Sequence, residues 1–184
     1  MLKIVALTGS KGSGKDTVGN LITGMFPSAS TIAFADPIKQ TVMDIFKLKE
    51  VDQYDLFKRT VLEYRLDYLP QAIAGRHVVR EIGMLMRHYD DKQFNKYVQD
   101  TIQADPEKVW VVTDLRFDNE YTMLRSIGAK IVKITRPSYT YDGHITEREF
   151  NDSLVDHTIM NDGSLDYLKI RTEIVMKNII QEWA

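Results

Sequence analysis

Apolar and polar positions along the chain alternate between two periods. Residues 3–8, KIVALT, form a short β-branched run that ends at glycines, and Val18, Leu21, Ile22 and Met25 follow at helical spacing. That predicts a strand, a loop and a helix. A second run, STIAFAD at 30–36, leads into DPIKQTVMDIF, with Asp36 placed as the helix N-cap and Pro37 as the first helical residue. KVWVVTD (108–114) and AKIVKIT (129–135) are apolar and β-rich rather than cleanly alternating, as parallel strands covered on both faces are. Between them DNEYTMLRSIG predicts a helix closed by Gly128. A short strand near HTIMND precedes a final helix from Ser164, whose inner stripe is read as Leu165, Leu168, Val175 and Ile179. Strands alternating with helices imply an α/β fold of three layers, with a mostly parallel five-stranded sheet. Residues 48–107 show no convincing strand and read as a helical insertion in a core of 1–47 and 108–184.

Composition narrows the partners. With 184 residues, 43% of them hydrophobic, the chain is long enough for one domain with a real core. The formal net charge of -2 gives no global pull toward nucleic acid or acidic membranes. An anionic ligand must therefore be caught by a local cluster of cations. There is no cysteine, which excludes disulfides, thiolate nucleophiles and sulfur-built zinc sites and fits a cytoplasmic location. The N-terminal run LKIVALTG is too short for a signal-peptide core or a membrane span.

The first loop carries the strongest chemical signal. LTGSKGSGKDT at 7–17 nearly spells GxxxxGK[ST], with Gly9, Gly14 and Lys15 in place but Asp16 where a hydroxyl belongs. Glycines in such a loop let backbone N–H groups turn inward around phosphates, the following helix adds its positive end, and the lysine adds a mobile charge. A bare carboxylate beside a polyphosphate is repelled, so Asp16 either holds a magnesium ion, with Thr17 beside it, or is a favourable charge at a helix N-terminus.

GSKGSGKDT followed by ADPIK resembles the phage deoxynucleoside monophosphate kinases and, more distantly, phosphomevalonate kinase. REIGMLMRHYDDKQF, VVTDLRFDNE, ITRP, HITE and IMNDGSLDYL fall in the order that family uses, so the likeness spans nearly the whole chain. The chain is shorter than the phage enzymes, chiefly before Arg76, where the acceptor site is shaped. The resemblance implies a P-loop NTPase fold that transfers the γ-phosphoryl group of ATP to a deoxynucleoside monophosphate, with magnesium held at Asp16 and Thr17. It places ATP on Gly9, Lys11, Gly12, Ser13, Gly14, Lys15, Asp16, Thr17 and, at the adenine, Asn161. A lid is expected over about 137–150, and the protein is expected in the cytoplasm, that of the host cell if it is of phage origin.

Phosphoryl transfer asks mainly for positioning and positive charge, so arginines are the residues to find. At 100° per residue Arg76, Arg80, Gly83 and Arg87 share one helix face and Val78, Ile82, Leu85 and Tyr89 the other. Arg76 reads as a solvated charge. Arg80 and Arg87 are expected to grip the acceptor, Gly83 to let a base or sugar approach, and Lys39 of ADPIK to assist. Asp114, at the end of a buried strand, is expected either to hold a magnesium-bound water or the acceptor's sugar or base, or to cap the next helix with Arg116 as its ion-pair partner. Arg116 is otherwise the acceptor-phosphate clamp. Glu120 is either a helix-surface charge or an acceptor residue by the family pattern. Arg136 and Arg148 are candidate late charges, and His144 and Glu147 match the family's lid pattern. Lys15, Asp16, Arg116 and Arg136 form the expected catalytic set. The rivals are a P-loop kinase of another small acceptor, such as phosphomevalonate or dephospho-coenzyme A, and a nucleotide-binding switch. The expected partners are ATP and a nucleotide, without nucleic acid or membrane; a homodimer is left open.

Overall fold

The computed structural model describes residues 2–66, 69–137 and 152–183. In chain order the elements are β1 (Lys3–Thr8), α1 (Lys15–Met25), β2 (Ala29–Ile32), α2 (Asp36–Ile45), α3 (Val51–Arg59), β3 (Val61–Leu66) and β4 (Leu69–Ala74). They continue with α4 (Gly75–Tyr89), α5 (Gln93–Ala104), β5 (Val109–Val112), α6 (Asp118–Ser126), β6 (Lys130–Thr135), β7 (His157–Met160) and α7 (Leu165–Trp183). The chain forms two compact units, one of Met1–Phe34 with Val98–Ala184 and one of Ala35–Tyr97.

The first unit is built on a five-stranded sheet of order β2-β5-β1-β6-β7, parallel throughout. Val5, Leu7, Val111, Val132, Ile134 and Ile159 face one side, where Val18 and Ile22 of α1 and Leu168, Met176 and Ile179 of α7 complete a buried cluster. Each such aliphatic side chain contributes about 1.5–3 kcal/mol on leaving water. Residues of the opposite parity, Ile4, Ala6, Val112 and Ile131, are also fully buried, as are Leu124 of α6 and Ile102 of α5. Helices therefore cover both faces, which is why these strands read as continuous apolar runs. Because every strand points the same way, the segments after β1, β2, β5, β6 and β7 emerge at one edge. In open parallel sheets that is the ligand-binding edge.

The predicted strands and helices of this unit are present, with shifts at their ends. The second strand stops at Ile32 rather than continuing to 36. In α7 the inward stripe runs Leu168, Thr172, Met176 and Ile179, while Leu165 is 63% exposed. Thr172 interrupts the apolar period yet is fully buried, its hydroxyl donating to the Leu168 carbonyl at 2.8 Å. Gly128 closes α6 as expected, at φ 86.

In the second unit Asp36 is the first residue of α2 rather than its cap, and Ala35 takes the N-cap position. The stretch expected to lack strands holds an antiparallel hairpin, β3 with β4, paired from Val61↔Ala74 to Leu66↔Leu69. Gly75 opens α4 directly behind it; a Cβ there would lie 2.0 Å from the Phe57 carbonyl oxygen, so only glycine allows that approach. Among the described residues no helix is long and apolar enough to cross a membrane.

Candidate active site

The glycine loop leaves β1 at the carboxyl edge of the sheet, and its backbone follows from its glycines. Gly9, Gly12 and Gly14 adopt φ of 137, 75 and 105, a region that costs any other residue strain. A Cβ at Gly9 would lie 2.2 Å from the Ile134 carbonyl oxygen, so the loop is laid directly against β6. Gly14 is the N-cap of α1, and the Val18 N–H donates back to its carbonyl at 2.9 Å. Lys15 then turns across the loop, its ammonium donating to the Gly9 carbonyl at 2.7 Å and the Ser10 carbonyl at 2.8 Å. Ser13 is fully buried, and its hydroxyl has no hydrogen-bond partner among the described residues. Helix N–H groups, a lysine and a buried hydroxyl with spare capacity are a donor set for an anion. Asp16 is exposed in the first turn of α1 and Thr17 half-buried behind it.

Two residues from other strands touch the loop. Arg136, just after β6, places a guanidinium nitrogen 3.4 Å from the Gly12 carbonyl. Asn161, just after β7, donates its side-chain amide to the Ser13 carbonyl at 2.8 Å. The side chain expected at the adenine is thus engaged with the loop. Beyond it Ser164 caps α7, accepting from the Tyr167 N–H at 3.3 Å, and Asp162 pairs with Arg171 at 2.7 Å.

The segment after β5 is stitched to its neighbours through backbone groups. Thr113 N–H donates to the Ile32 carbonyl and Leu115 N–H to the Leu7 carbonyl. Asp114 accepts the Phe34 N–H at 2.7 Å, tying the exits of β2 and β5 together. The cap of α6 is supplied by Glu120 instead, whose Oε2 accepts the N–H groups of Arg116 at 2.9 Å and Phe117 at 3.1 Å. Glu120 is completely buried, not a surface charge. Its carboxylate fixes the backbone that carries Arg116, whose side chain is exposed at the same sheet edge. A glutamate at the third helical position bonding back to the chain before it was a recognisable capping signal.

In the second unit α4 packs by the face that carries the arginines. Gly75 and Gly83 are its buried positions, while Leu85 is 68% and Tyr89 93% exposed. The space at Gly83 is filled by Ile38, since a Cβ there would lie 2.8 Å from Ile38 Cδ1. Gly83 is therefore a helix-packing glycine of α2 and α4, and the gap expected to admit a base or sugar is closed. Close approach at small residues has outweighed the apolar side chains on the other face. Arg80 and Arg87 are half-buried on this face, and the Arg87 guanidinium sits 4.4 Å from the centre of the Phe94 ring. Lys39 on α2 lies 5.6 Å from the Tyr54 ring centre. Burial, then the carboxylates of Asp55 and Asp36, pushes the Tyr54 phenol up to about 12. Burial and Asp36, to which it hydrogen bonds, also push the Tyr97 phenol up. In the sequence Asp36 reads only as a helix cap, and no local pattern groups it with Tyr54 and Tyr97.

The predicted residues thus fall into two sets. Gly9, Lys11, Gly12, Ser13, Gly14, Lys15, Asp16, Thr17, Asp114, Arg116, Glu120, Arg136 and Asn161 belong to the sheet unit. Lys39, Arg80, Gly83 and Arg87 belong to the helical one. His144, Glu147 and Arg148 lie outside the described residues.

A parallel sheet covered on both faces, a glycine loop in the left-handed region after its first strand and a lysine at the head of the next helix define the P-loop NTPase class. The sequence model of the deoxynucleotide monophosphate kinase family matches residues 78–172, more than half of the chain, and the protein belongs to that family. It is 24% identical over 184 residues to an Acanthamoeba polyphaga mimivirus protein that bears the name deoxynucleotide monophosphate kinase provisionally, covering 89% of this chain and 90% of that one. It is likewise 24% identical over 246 residues to the deoxynucleotide monophosphate kinase of Escherichia phage RB69, covering 96% of this chain and 100% of that one. Among solved structures, dephospho-CoA kinase from Campylobacter jejuni superposes with a TM-score of 0.51 at 15% identity, covering 96% of this chain and 97% of that one. That likeness is one of fold.

Proposed function

We propose that this protein transfers the γ-phosphoryl group of ATP to a deoxynucleoside 5′-monophosphate, releasing ADP and the deoxynucleoside diphosphate. The observation that carries the reading is the loop of Gly9 to Lys15 at the carboxyl edge of the sheet, with positive φ at three glycines and the lysine folded across it. Family membership supports the acceptor class. In the reaction an oxygen of the acceptor phosphate bonds to the γ-phosphorus, and the bond to the β,γ-bridging oxygen breaks with its electron pair leaving on ADP. The acceptor phosphate is already ionised at neutral pH, so no general base is required. The residues' work is placement and charge. Lys15 leaves the Gly9 and Ser10 carbonyls for the β and γ phosphates, and the N–H groups at the head of α1 donate to the phosphate oxygens that carry the developing negative charge. Arg136, beside Gly12, adds charge at the loop. Asp114 and Arg116 present acceptor-binding groups at the same sheet edge, the latter on backbone fixed by Glu120. Lys39, Arg80 and Arg87 are the acceptor residues proposed in the helical unit.

Asp16 and Thr17 fit a magnesium ion that travels with the nucleotide. Magnesium keeps several waters and takes one or two protein oxygens besides phosphates, so an exposed carboxylate next to a hydroxyl at the head of the loop helix is a sufficient donor set. When bound, the ion neutralises phosphate charge. Asp16→Ser, which restores the common loop, is expected to raise several-fold the magnesium needed for half-maximal rate in a titration at fixed ATP; an unchanged titration would leave Asp16 as a helix-terminus charge. The reaction itself is tested by ADP release from Mg·ATP with each deoxynucleoside monophosphate. Strong stimulation by at least one over an acceptor-free control is expected, and none would remove the acceptor assignment. A cytoplasmic location, in an infected host if the gene is viral, accords with a phage and a giant-virus relative.

A further inference from the structure

Asn161 holds the glycine loop from the other end of the chain. Its own N–H donates to the Thr135 carbonyl at 2.7 Å, which anchors its backbone to the end of β6. From there its side-chain nitrogen reaches the Ser13 carbonyl at 2.8 Å, across 148 residues of sequence. The same nitrogen would lie 2.6 Å from a Cβ at Gly14, so the amide is pressed against that glycine. A carbonyl can only accept, so the amide must face it with its nitrogen. The Ser13 carbonyl and the Gly14 N–H belong to one planar trans peptide and point in opposite directions. Drawing the carbonyl toward Asn161 therefore turns the Gly14 N–H the other way, and that N–H has no partner among the described residues.

We propose that Asn161 is a positioning residue for the nucleotide's phosphates: it sets the Ser13–Gly14 peptide plane so that the Gly14 N–H is aimed at a phosphate oxygen before the ligand arrives. The inference rests on the loop being the phosphate site, and it gives the side chain a different role from the adenine contact expected from sequence. The two roles separate on a ligand without a base. If Asn161 recognised adenine, its loss would leave inorganic polyphosphate binding untouched. If it sets the peptide plane, the loss weakens polyphosphate and ATP alike.

The test is calorimetric titration of inorganic tripolyphosphate with magnesium into the wild type, Asn161→Ala and Asn161→Asp, with a thermal melt of each. Asn161→Ala should bind about 5- to 10-fold more weakly, the scale of one lost hydrogen bond. Asn161→Asp keeps the side-chain volume but cannot donate and repels the Ser13 carbonyl, so it should bind more weakly still and supplies the comparison if the alanine variant does not fold. In the kinase assay the defect should appear in kcat and in KM for ATP, with KM for the acceptor unchanged. Equal tripolyphosphate affinity in wild type and folded variant overturns the inference alone. A wild type that binds no tripolyphosphate overturns the inference together with the phosphate-loop reading.

Discussion

Lys15→Ala is expected to lower kcat by about 10²–10³-fold, the usual cost of losing one donor aimed at charge that develops in the transition state. The side chain sits at the head of α1, and its ammonium meets the carbonyls of Gly9 and Ser10 rather than apolar core. Those carbonyls belong to the loop itself, so the melting temperature should fall by no more than a few degrees, as about 1 kcal/mol does in a domain of this size. Steady-state rates read beside a far-UV melt decide the point. Turnover within a few-fold of the wild type in a folded variant would take Lys15 out of the chemistry.

Glu120→Ala should do the reverse, acting first on stability. The carboxylate is completely buried and accepts two backbone N–H groups, those of Arg116 and Phe117. Alanine leaves both donors without it, at about 1–3 kcal/mol each where water cannot replace the partner. Glu120 and Leu124, four residues on, are the buried positions of α6, so truncation also opens a void on that face of the helix, which adds to the loss. A destabilisation of about 3–5 kcal/mol in urea unfolding is expected. Glu120→Gln keeps an acceptor oxygen in the same shape and should recover most of it. Because these bonds hold the backbone of Arg116, the alanine variant should also show a raised KM for the acceptor with KM for ATP unchanged, and the glutamine variant an acceptor KM close to wild type. A melt and an acceptor KM both equal to wild type in Glu120→Ala would refute the role given to the buried carboxylate.

The two cases mark what the residues disclose and what they conceal. The strands at 3–8, 109–112 and 130–135 are legible because burial on both faces requires unbroken apolar runs. The loop is legible because its glycines are needed wherever the backbone is left-handed. The β3–β4 hairpin is harder to see, although Leu62, Tyr64 and Leu66 alternate with Glu63 and Arg65 in the sequence. Pro70 and the helical stretches on either side outweigh that short signal. The packed face of α4 is illegible for a different reason. Periodicity assigns the core to Val78, Ile82, Leu85 and Tyr89, whereas the contact is made by absent side chains at Gly75 and Gly83, filled by Phe57 and Ile38. A hydropathy pattern registers what is apolar and cannot register a vacancy shaped for a neighbour. The burial of Glu120 and the reach of Asn161 to Ser13 depend on which backbone groups the fold brings within 3.1 Å of them. The partner of Asn161 is set by tertiary structure, 148 residues away, whereas those of Glu120 lie three and four residues back and its spacing hints at the bonds.

In the proposed reaction the γ-phosphoryl group of ATP ends on a deoxynucleoside monophosphate. Incubation of the protein with ATP labelled in the γ-phosphate, magnesium and each of the four deoxynucleoside monophosphates, followed by separation of the products, tests it directly. Label recovered in a deoxynucleoside diphosphate, and lost in Lys15→Ala, is the predicted result. Label recovered as inorganic phosphate whether or not an acceptor is present, or transferred only to dephospho-coenzyme A or phosphomevalonate supplied in parallel, would contradict it.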